Sequence, residues 1–349
     1  MRSTAKSRGT QIHLTGTGFN SCSWEPHCLL LNETSPSVYE GDLRFNSTST
    51  NPIEFKITRG DWTKEATDGN GKPFENYRLD PVSTKAPLVF NVINWKDLPP
   101  LGVMGTVEKT ANFYSPQLQN IRDVWVWLPP SYSKNLKKHY PVVYMHDGQN
   151  CFDPATSTFG VDWGIDETMT RLISAGKVRE AIVVAAASTA DRDREYDFSE
   201  KGDIYAQFII KTLKPYIDSH YRTQPGRTST FTMGSSMGAT ISFEMAWAYP
   251  EVFSKAAALS LPVFVTNSSI YHVLTNHPKP ASPIQIYMDH GTWGEDTQYG
   301  KPAHDFYQWF QNQGYSTSKL SYQIFPYADH SEVDWSRRVH VPLEFFLAQ

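Results

Sequence analysis

The chain is poor in cysteine, has no surplus of positive charge and has no long apolar run. Each shortage removes a class of protein. Among 349 residues there are three cysteines, Cys22, Cys28 and Cys151. So few, and an odd number, do not make a disulfide framework, and stability must come from a packed core. Cys22 and Cys28 are close enough in sequence to close a short loop in an oxidising compartment; buried thiols are the competing reading. The formal net charge of −4 leaves no basic footprint for nucleic acid. No apolar stretch approaches the roughly 20 residues that span a bilayer. The start, from Met1 to Arg8, is basic, but no hydrophobic segment follows, so it does not read as a complete signal peptide. Asn32-Glu33-Thr34, Asn46-Ser47-Thr48 and Asn267-Ser268-Ser269 fit the glycosylation triplet, which carries meaning only in a secreted eukaryotic protein.

What is present is ample core material. Hydrophobic residues make up 40% of the chain and aromatic residues 13%, over a length that favours two domains. Up to residue 98 the pattern is short strands between polar turns: 11–15, 28–31, 37–45, 53–58 and 88–95. Several alternate apolar and polar residues, the mark of half-buried strands, and no helix interrupts them. A small antiparallel, immunoglobulin-like β-sandwich is the expectation. Pro99-Pro100-Leu101-Gly102 punctuates the chain, so the expected domains are 1–98 and 103–349. Beyond residue 140 the rhythm changes to continuous apolar strands, such as 142–145, 181–187 and 255–260, alternating with helical patterns. That alternation implies a mostly parallel sheet with helices on both faces.

The second half is organised around Gly234-Ser235-Ser236-Met237-Gly238, a G-x-S-x-G sequence between a β-prone run and a helix-forming one. A nucleophile needs that strand–turn–helix context. The sharp turn exposes the hydroxyl, and the new helix points unpaired N–H groups at the same spot. The register makes Ser236 the nucleophile. A serine needs a base, and the base an orienting acid. His330 follows the last strand. Between the two lies Asp289-His290-Gly291-Thr292-Trp293-Gly294-Glu295-Asp296, where Asp296 is preferred as the acid over Glu295 and Asp289. Ser…Asp…His is the chain order of α/β-hydrolases. Donors for a tetrahedral oxyanion should be the backbone N–H groups of Met237 and of Gln149, in the turn His146-Asp147-Gly148-Gln149-Asn150. Gly148, Asn150, Trp163 and Trp293 are candidates for contact with substrate.

Residues 103–349 resemble the esterase-D-like branch of the α/β-hydrolases, which holds feruloyl, acetylxylan and enterochelin-type esterases and S-formylglutathione hydrolases. The matching pieces are Arg122 to Pro130, Tyr144 to Asn150, Phe152-Asp153, Trp163 to Glu167, Glu195-Tyr196, the serine turn, Asp289 to Thr292, and His330-Ser331-Glu332 with Trp335 and Arg338. The resemblance implies Ser236, Asp296 and His330 as the triad, with Glu332, Trp335 and Arg338 fixing the histidine loop. The first 95 or so residues resemble carbohydrate-binding modules of the starch- and glycogen-binding type. The match lies in Gly18-Phe19-Asn20, Trp24-Glu25-Pro26, the run from Phe55 to Trp62, then Gly69, Gly71, Asn76 and Arg78. Trp24 and Trp62 could stack on sugar rings; the alternative places them in the sandwich core.

The pairing points to a serine esterase acting on feruloyl or acetyl esters of plant polysaccharide. A siderophore trilactone esterase is the alternative, with Arg192 and Arg194 as candidates to hold a catecholate. A carbohydrate-binding protein with a vestigial hydrolase domain is the reading from another class. No cofactor, metal, nucleic acid or membrane is expected, and the family resemblance favours a secreted or periplasmic setting.

Overall fold

The computed structural model describes residues 2–3, 11–19, 22–35, 38–42, 51–67, 71–79, 90–92, 94–98, 103–263 and 269–348. The chain divides into two compact units, Met1–Met104 and Gly105–Gln349.

The N-terminal unit is all-β among its described residues, apart from one 3₁₀ turn at Trp62–Lys64. Its strands are β1 (Arg2–Ser3), β2 (Ile12–Gly16), β3 (Leu29–Ser35), β4 (Val38–Glu40), β5 (Ile53–Thr58), β6 (Ala66–Thr67), β7 (Tyr77–Leu79), β8 (Asn91–Val92) and β9 (Asn94–Trp95). Seven of them form one sheet, in the order β7-β5-β2-β3-β4-β1-β8, and β6 pairs with β9. β3 links the two ends of this order, pairing with β2 through residues 29–31 and with β4 through residues 32–35. Much of the expected strand at 37–45, the first residues of that at 88–95, and the Pro99–Gly102 boundary lie outside the described residues. Phe55, Ile57 and Trp95 fill the core of this unit. Trp24 and Trp62 do not. Their rings lie 6.5 Å apart, Trp62 is 37% exposed and Trp24 is half-buried. Cys22 and Cys28 are joined in a disulfide that closes the loop carrying Trp24; Cys151 is a buried free thiol in the second unit.

The second unit is built on an eight-stranded mixed sheet. Its strands are β10 (Thr106–Ser115), β11 (Asn120–Leu128), β12 (Val142–Met145), β13 (Ile182–Ala186), β14 (Thr230–Ser235), β15 (Lys255–Leu259), β16 (Gln285–Gly291) and β17 (Leu320–Phe325), in the order β10-β11-β13-β12-β14-β15-β16-β17. β10, β11 and β13 pair antiparallel, and from β13 to β17 every pairing is parallel. The central strands β12, β13 and β14 are buried at every residue, as covered parallel strands must be. Two apolar layers cover the faces. One is packed around Phe208, Ile241, Phe243 and Phe310, the other around Trp127, Leu172, Phe231 and Leu343. From β12 the chain crosses to β13 on one side and later returns to β14 on the other. This reversal opens a crevice at the strand ends, where ligands of open α/β sheets bind.

Candidate active site

Four loops leave the carboxyl ends of β12, β14, β16 and β17 and converge on this crevice. The tightest is the turn after β14. Ser236 has φ 54° and ψ −126°, an unusual conformation for a residue with a side chain, and it caps the helix Met237–Ala248. Its backbone N–H donates to the Leu259 carbonyl on β15 at 2.9 Å. The turn is so sharp that a β-carbon on Gly234 would lie 2.5 Å from the Gly238 carbonyl oxygen, a distance no real side chain tolerates. The sequence thus folds the serine outward because a glycine lets strand and helix nearly touch.

The loop after β12 packs against this turn. A β-carbon on Gly238 would sit 3.2 Å from the Asp147 carboxylate, which brings the first turn of the serine helix onto the loop. Gly148–Asn150 form a 3₁₀ turn, entered through a left-handed Asp147. The N–H groups of Gln149 and Met237 each lie in the first turn of a helix and have no acceptor within it. The Gln149 side chain is clamped: its amide donates to the Ser188 hydroxyl at 2.8 Å, and its carbonyl accepts the Ser188 N–H at 3.1 Å. Gly148 and Asn150 are buried and serve the loop. A β-carbon on Gly148 would strike the β13 backbone at 2.6 Å, and Asn150 accepts the Thr158 N–H at 2.9 Å.

Asp296 and His330 meet between the loops after β16 and β17. His330 Nδ1 lies 2.8 Å from Asp296 Oδ1. Asp296 is fully buried, whereas its neighbour Glu295 is exposed. The other carboxylate oxygen, Oδ2, accepts from the Gly291 N–H at 2.6 Å, the Ser260 hydroxyl at 2.8 Å and Arg338 at 3.3 Å. Burial disfavours the charge, but the bond from His330, the charge of Arg338 and the Gly291 and Ser260 donors outweigh it, and Asp296 stays below the usual carboxylate range. The contact with Asp296 occupies Nδ1 and leaves the far nitrogen of the His330 ring on the side away from the carboxylate.

Asp289 has a different role. It accepts from the Ser260 N–H at 3.1 Å, the Tyr287 hydroxyl at 2.8 Å and Arg338 at 3.3 Å, so it pins the strand end. Asp329 ties the acid and histidine loops together by accepting the N–H groups of Glu295 and His330, at 2.9 and 2.7 Å. Trp335 stands edge-on to the His330 ring at 4.9 Å and donates to Ser260 at 3.0 Å. Burial raises the Glu332 carboxyl, and the nearby Asp147 adds to the effect.

Trp163, expected to touch substrate, is 1% exposed and packs edge-on against Trp335 at 6.0 Å. It is a core residue behind the histidine loop. Trp293 is 42% exposed and lies 6.1 Å from the Tyr327 ring. Arg192 grips Asp147 with two bonds of 2.7 and 2.8 Å, so its charge is already matched, and Arg194 is exposed and pairs with Glu200. Sequence reasoning missed Ser260 and Tyr299. Ser260 is a buried left-handed residue at a strand end that carries no motif. Tyr299 is buried and stacks on His330. Spacing could flag neither of them. Among the described residues, Asp162, Asp166 and Glu167 are the one group spaced to hold a metal ion, with ligand atoms within 4.8 Å of one another. Burial and then the charge of the adjacent Asp166 push the Glu167 carboxyl far up.

Known proteins share this arrangement of strands. A ferulic acid esterase matches 70% of this chain and 98% of its own, with a TM-score of 0.56 and 21% identity. The enterobactin esterase of Shigella flexneri matches 96% of this chain and 88% of its own, with a TM-score of 0.58 and 12% identity. In sequence, the uncharacterized Bacillus subtilis protein YjcH is 24% identical over 243 residues, 66% of this chain and 93% of that protein. The family described as "Putative esterase" matches residues 115–340, more than half of the chain, and the protein belongs to it: it is a carboxylic ester hydrolase.

Proposed function

We propose that the protein is a serine esterase working through an acyl-enzyme, with Ser236 as nucleophile, His330 as general base and Asp296 as the orienting acid. The 2.8 Å contact between His330 Nδ1 and Asp296 carries this reading, because it fixes the tautomer the base needs. His330 removes the Ser236 proton as Oγ attacks the ester carbonyl. The N–H groups of Met237 and Gln149 receive the developing oxyanion. The alcohol then leaves with the proton from His330, and water repeats the sequence to release the acid.

The substrate class we favour is a feruloyl or acetyl ester on plant polysaccharide. The likeness to a ferulic acid esterase supports it, as does the half-exposed Trp24–Trp62 pair, a surface suited to stacking on sugar rings. The Cys22–Cys28 disulfide suits the oxidising setting of a secreted enzyme. One observation favours a second reading, a siderophore trilactone esterase. The likeness to the Shigella enterobactin esterase spans 96% of the chain, including the N-terminal unit, whereas that to the ferulic acid esterase spans 70%. Against it, Arg192 is already paired with Asp147. Rates on methyl ferulate, acetylated xylan and enterobactin, each with a Ser236→Ala control, decide between them. Preference for enterobactin would overturn the polysaccharide reading.

A further inference from the structure

Asp147 stands between the two walls of the crevice. It enters the turn Gly148–Asn150 in the left-handed conformation, φ 54° and ψ 48°, which few residues with a side chain adopt. Every polar group it has is held. Its N–H donates to the Tyr196 hydroxyl at 3.1 Å, and its carbonyl accepts the Asn150 N–H at 2.9 Å. Its carboxylate accepts two bonds from one guanidinium, from Arg192 Nε at 2.7 Å and Nη2 at 2.8 Å. The same carboxylate abuts the serine helix, since a β-carbon on Gly238 would lie 3.2 Å from Oδ2. The side chain is 4% exposed and so is shut off from the water that would screen its charge. A negative group in this position lies two residues before Gln149 and against the residue after Met237, the two proposed oxyanion donors. Unpaired, it would repel the charge those N–H groups are there to receive.

Resting on the serine-esterase reading, we infer that Arg192 is a positioning residue for the oxyanion site, acting through Asp147. Its charge offsets that of the buried carboxylate, which leaves the N–H groups to set the field felt by the oxyanion. Its planar fork also holds Asp147 in the left-handed turn that leads to Gln149. Lysine could supply the charge but not the two parallel bonds. Arg192 is itself fixed. It opens the short helix Arg192–Glu195 after β13, and its guanidinium carbon lies 5.1 Å from the centre of the Tyr196 ring. That helix is anchored by Glu195, whose ion pair with Arg122 has both side chains fully buried. The segment after β13 therefore grips the segment after β12 twice, Arg192 by the carboxylate and Tyr196 by the N–H of the same residue.

The test is hydrolysis of p-nitrophenyl acetate by the full-length enzyme, with inhibition by an aryl trifluoromethyl ketone, whose hemiketal with a serine carries an oxyanion. It compares wild type, Ser236→Ala, Arg192→Lys, Arg192→Met, Asp147→Asn and the double variant Arg192→Met/Asp147→Asn. A disturbed oxyanion site predicts that Arg192→Met lowers kcat by about 10- to 100-fold and leaves KM within about threefold. Ketone affinity should weaken by the same factor as kcat/KM, because both report stabilisation of the oxyanion. Arg192→Lys should lose less. With the carboxylate gone, Arg192 has nothing to act through, so the double variant should match Asp147→Asn within about threefold. That comparison serves even if Arg192→Met, with its bare buried carboxylate, folds poorly. A kcat for Arg192→Met within twofold of wild type overturns the inference, as does a lower kcat with ketone affinity unchanged. A raised KM at unchanged kcat, or the full loss persisting in the Asp147→Asn background, also overturns it and assigns Arg192 to direct contact with substrate. Activity surviving in Ser236→Ala overturns the serine-esterase reading on which the inference rests.

Discussion

At the scale of single residues, the chemistry depends on where charge is held. Ser236→Ala should lower kcat by roughly 10⁴- to 10⁶-fold with little effect on folding, the loss expected when a unit of this kind is broken. Ser235→Ala should keep most activity, because Ser235 is buried at the end of β14 rather than outward on the turn; steady-state kinetics on a soluble ester check both. Asp296→Asn should cost on the order of 10⁴ in kcat through the wrong histidine tautomer, and Glu295→Gln far less. The reverse order would move the acid role to the exposed Glu295. Glu167 gives a prediction about stability alone. Its folded carboxyl titrates above the ordinary carboxylate value, so the folded chain holds the proton after the unfolded chain has released it. Stability contributed by this group is present below the unfolded pKa of about 4.3 and declines as pH rises. Glu167→Gln should therefore raise Tm more at pH 8 than at pH 5, and an equal gain at both would contradict the buried-proton account.

At the scale of elements, the site is four loop ends brought to one place by sheet order. Its organising piece was readable: a G-x-S-x-G turn between β-prone and helix-forming runs can hardly fold otherwise once Gly234 and Gly238 must nearly touch. The chain order singled out His330 and offered three carboxylates as its candidate partner. Burial, which sequence does not report, separates Asp296 from Glu295, and hydrogen bonding separates Asp289 from both. Trp163 misled because a tryptophan beside a glycine in a loop looks equally suited to a substrate wall or to the core. Ser260 and Tyr299 were illegible because their partners, Asp296 and Arg338 for the one, His330 for the other, come from distant elements. Ser260 can be tested separately. It joins Asp296, Trp335 and Arg338, so Ser260→Ala leaves buried donors without their acceptor at a cost of about 1–3 kcal/mol. Urea unfolding should show that loss, and kcat should fall as Asp296 loses a donor. Unchanged stability would mean the cluster relaxes without the hydroxyl.

At the scale of the whole molecule, the change from alternating short strands to apolar strands and helices announced two units, and the chain divides at Met104. The internal sheet order of the N-terminal unit was beyond periodicity, since period-two patterns mark strands but not their neighbours. A chain beginning near residue 101 should keep activity on a small soluble ester, because every proposed catalytic residue lies beyond that point. Its activity on acetylated or feruloylated polymer should fall further, as expected if the first unit raises the local concentration of substrate. Equal losses on both would remove the carbohydrate-binding role from the N-terminal unit. Underneath every such comparison stands the claim that Ser236 is the nucleophile. The most direct measurement is labelling with a fluorophosphonate, followed by peptide mapping in a mass spectrometer. One equivalent of phosphonate on Ser236, with activity lost in proportion and no labelling of Ser236→Ala, is the predicted result. Label on Ser235 or elsewhere, or full inhibition with Ser236 unmodified, would contradict it.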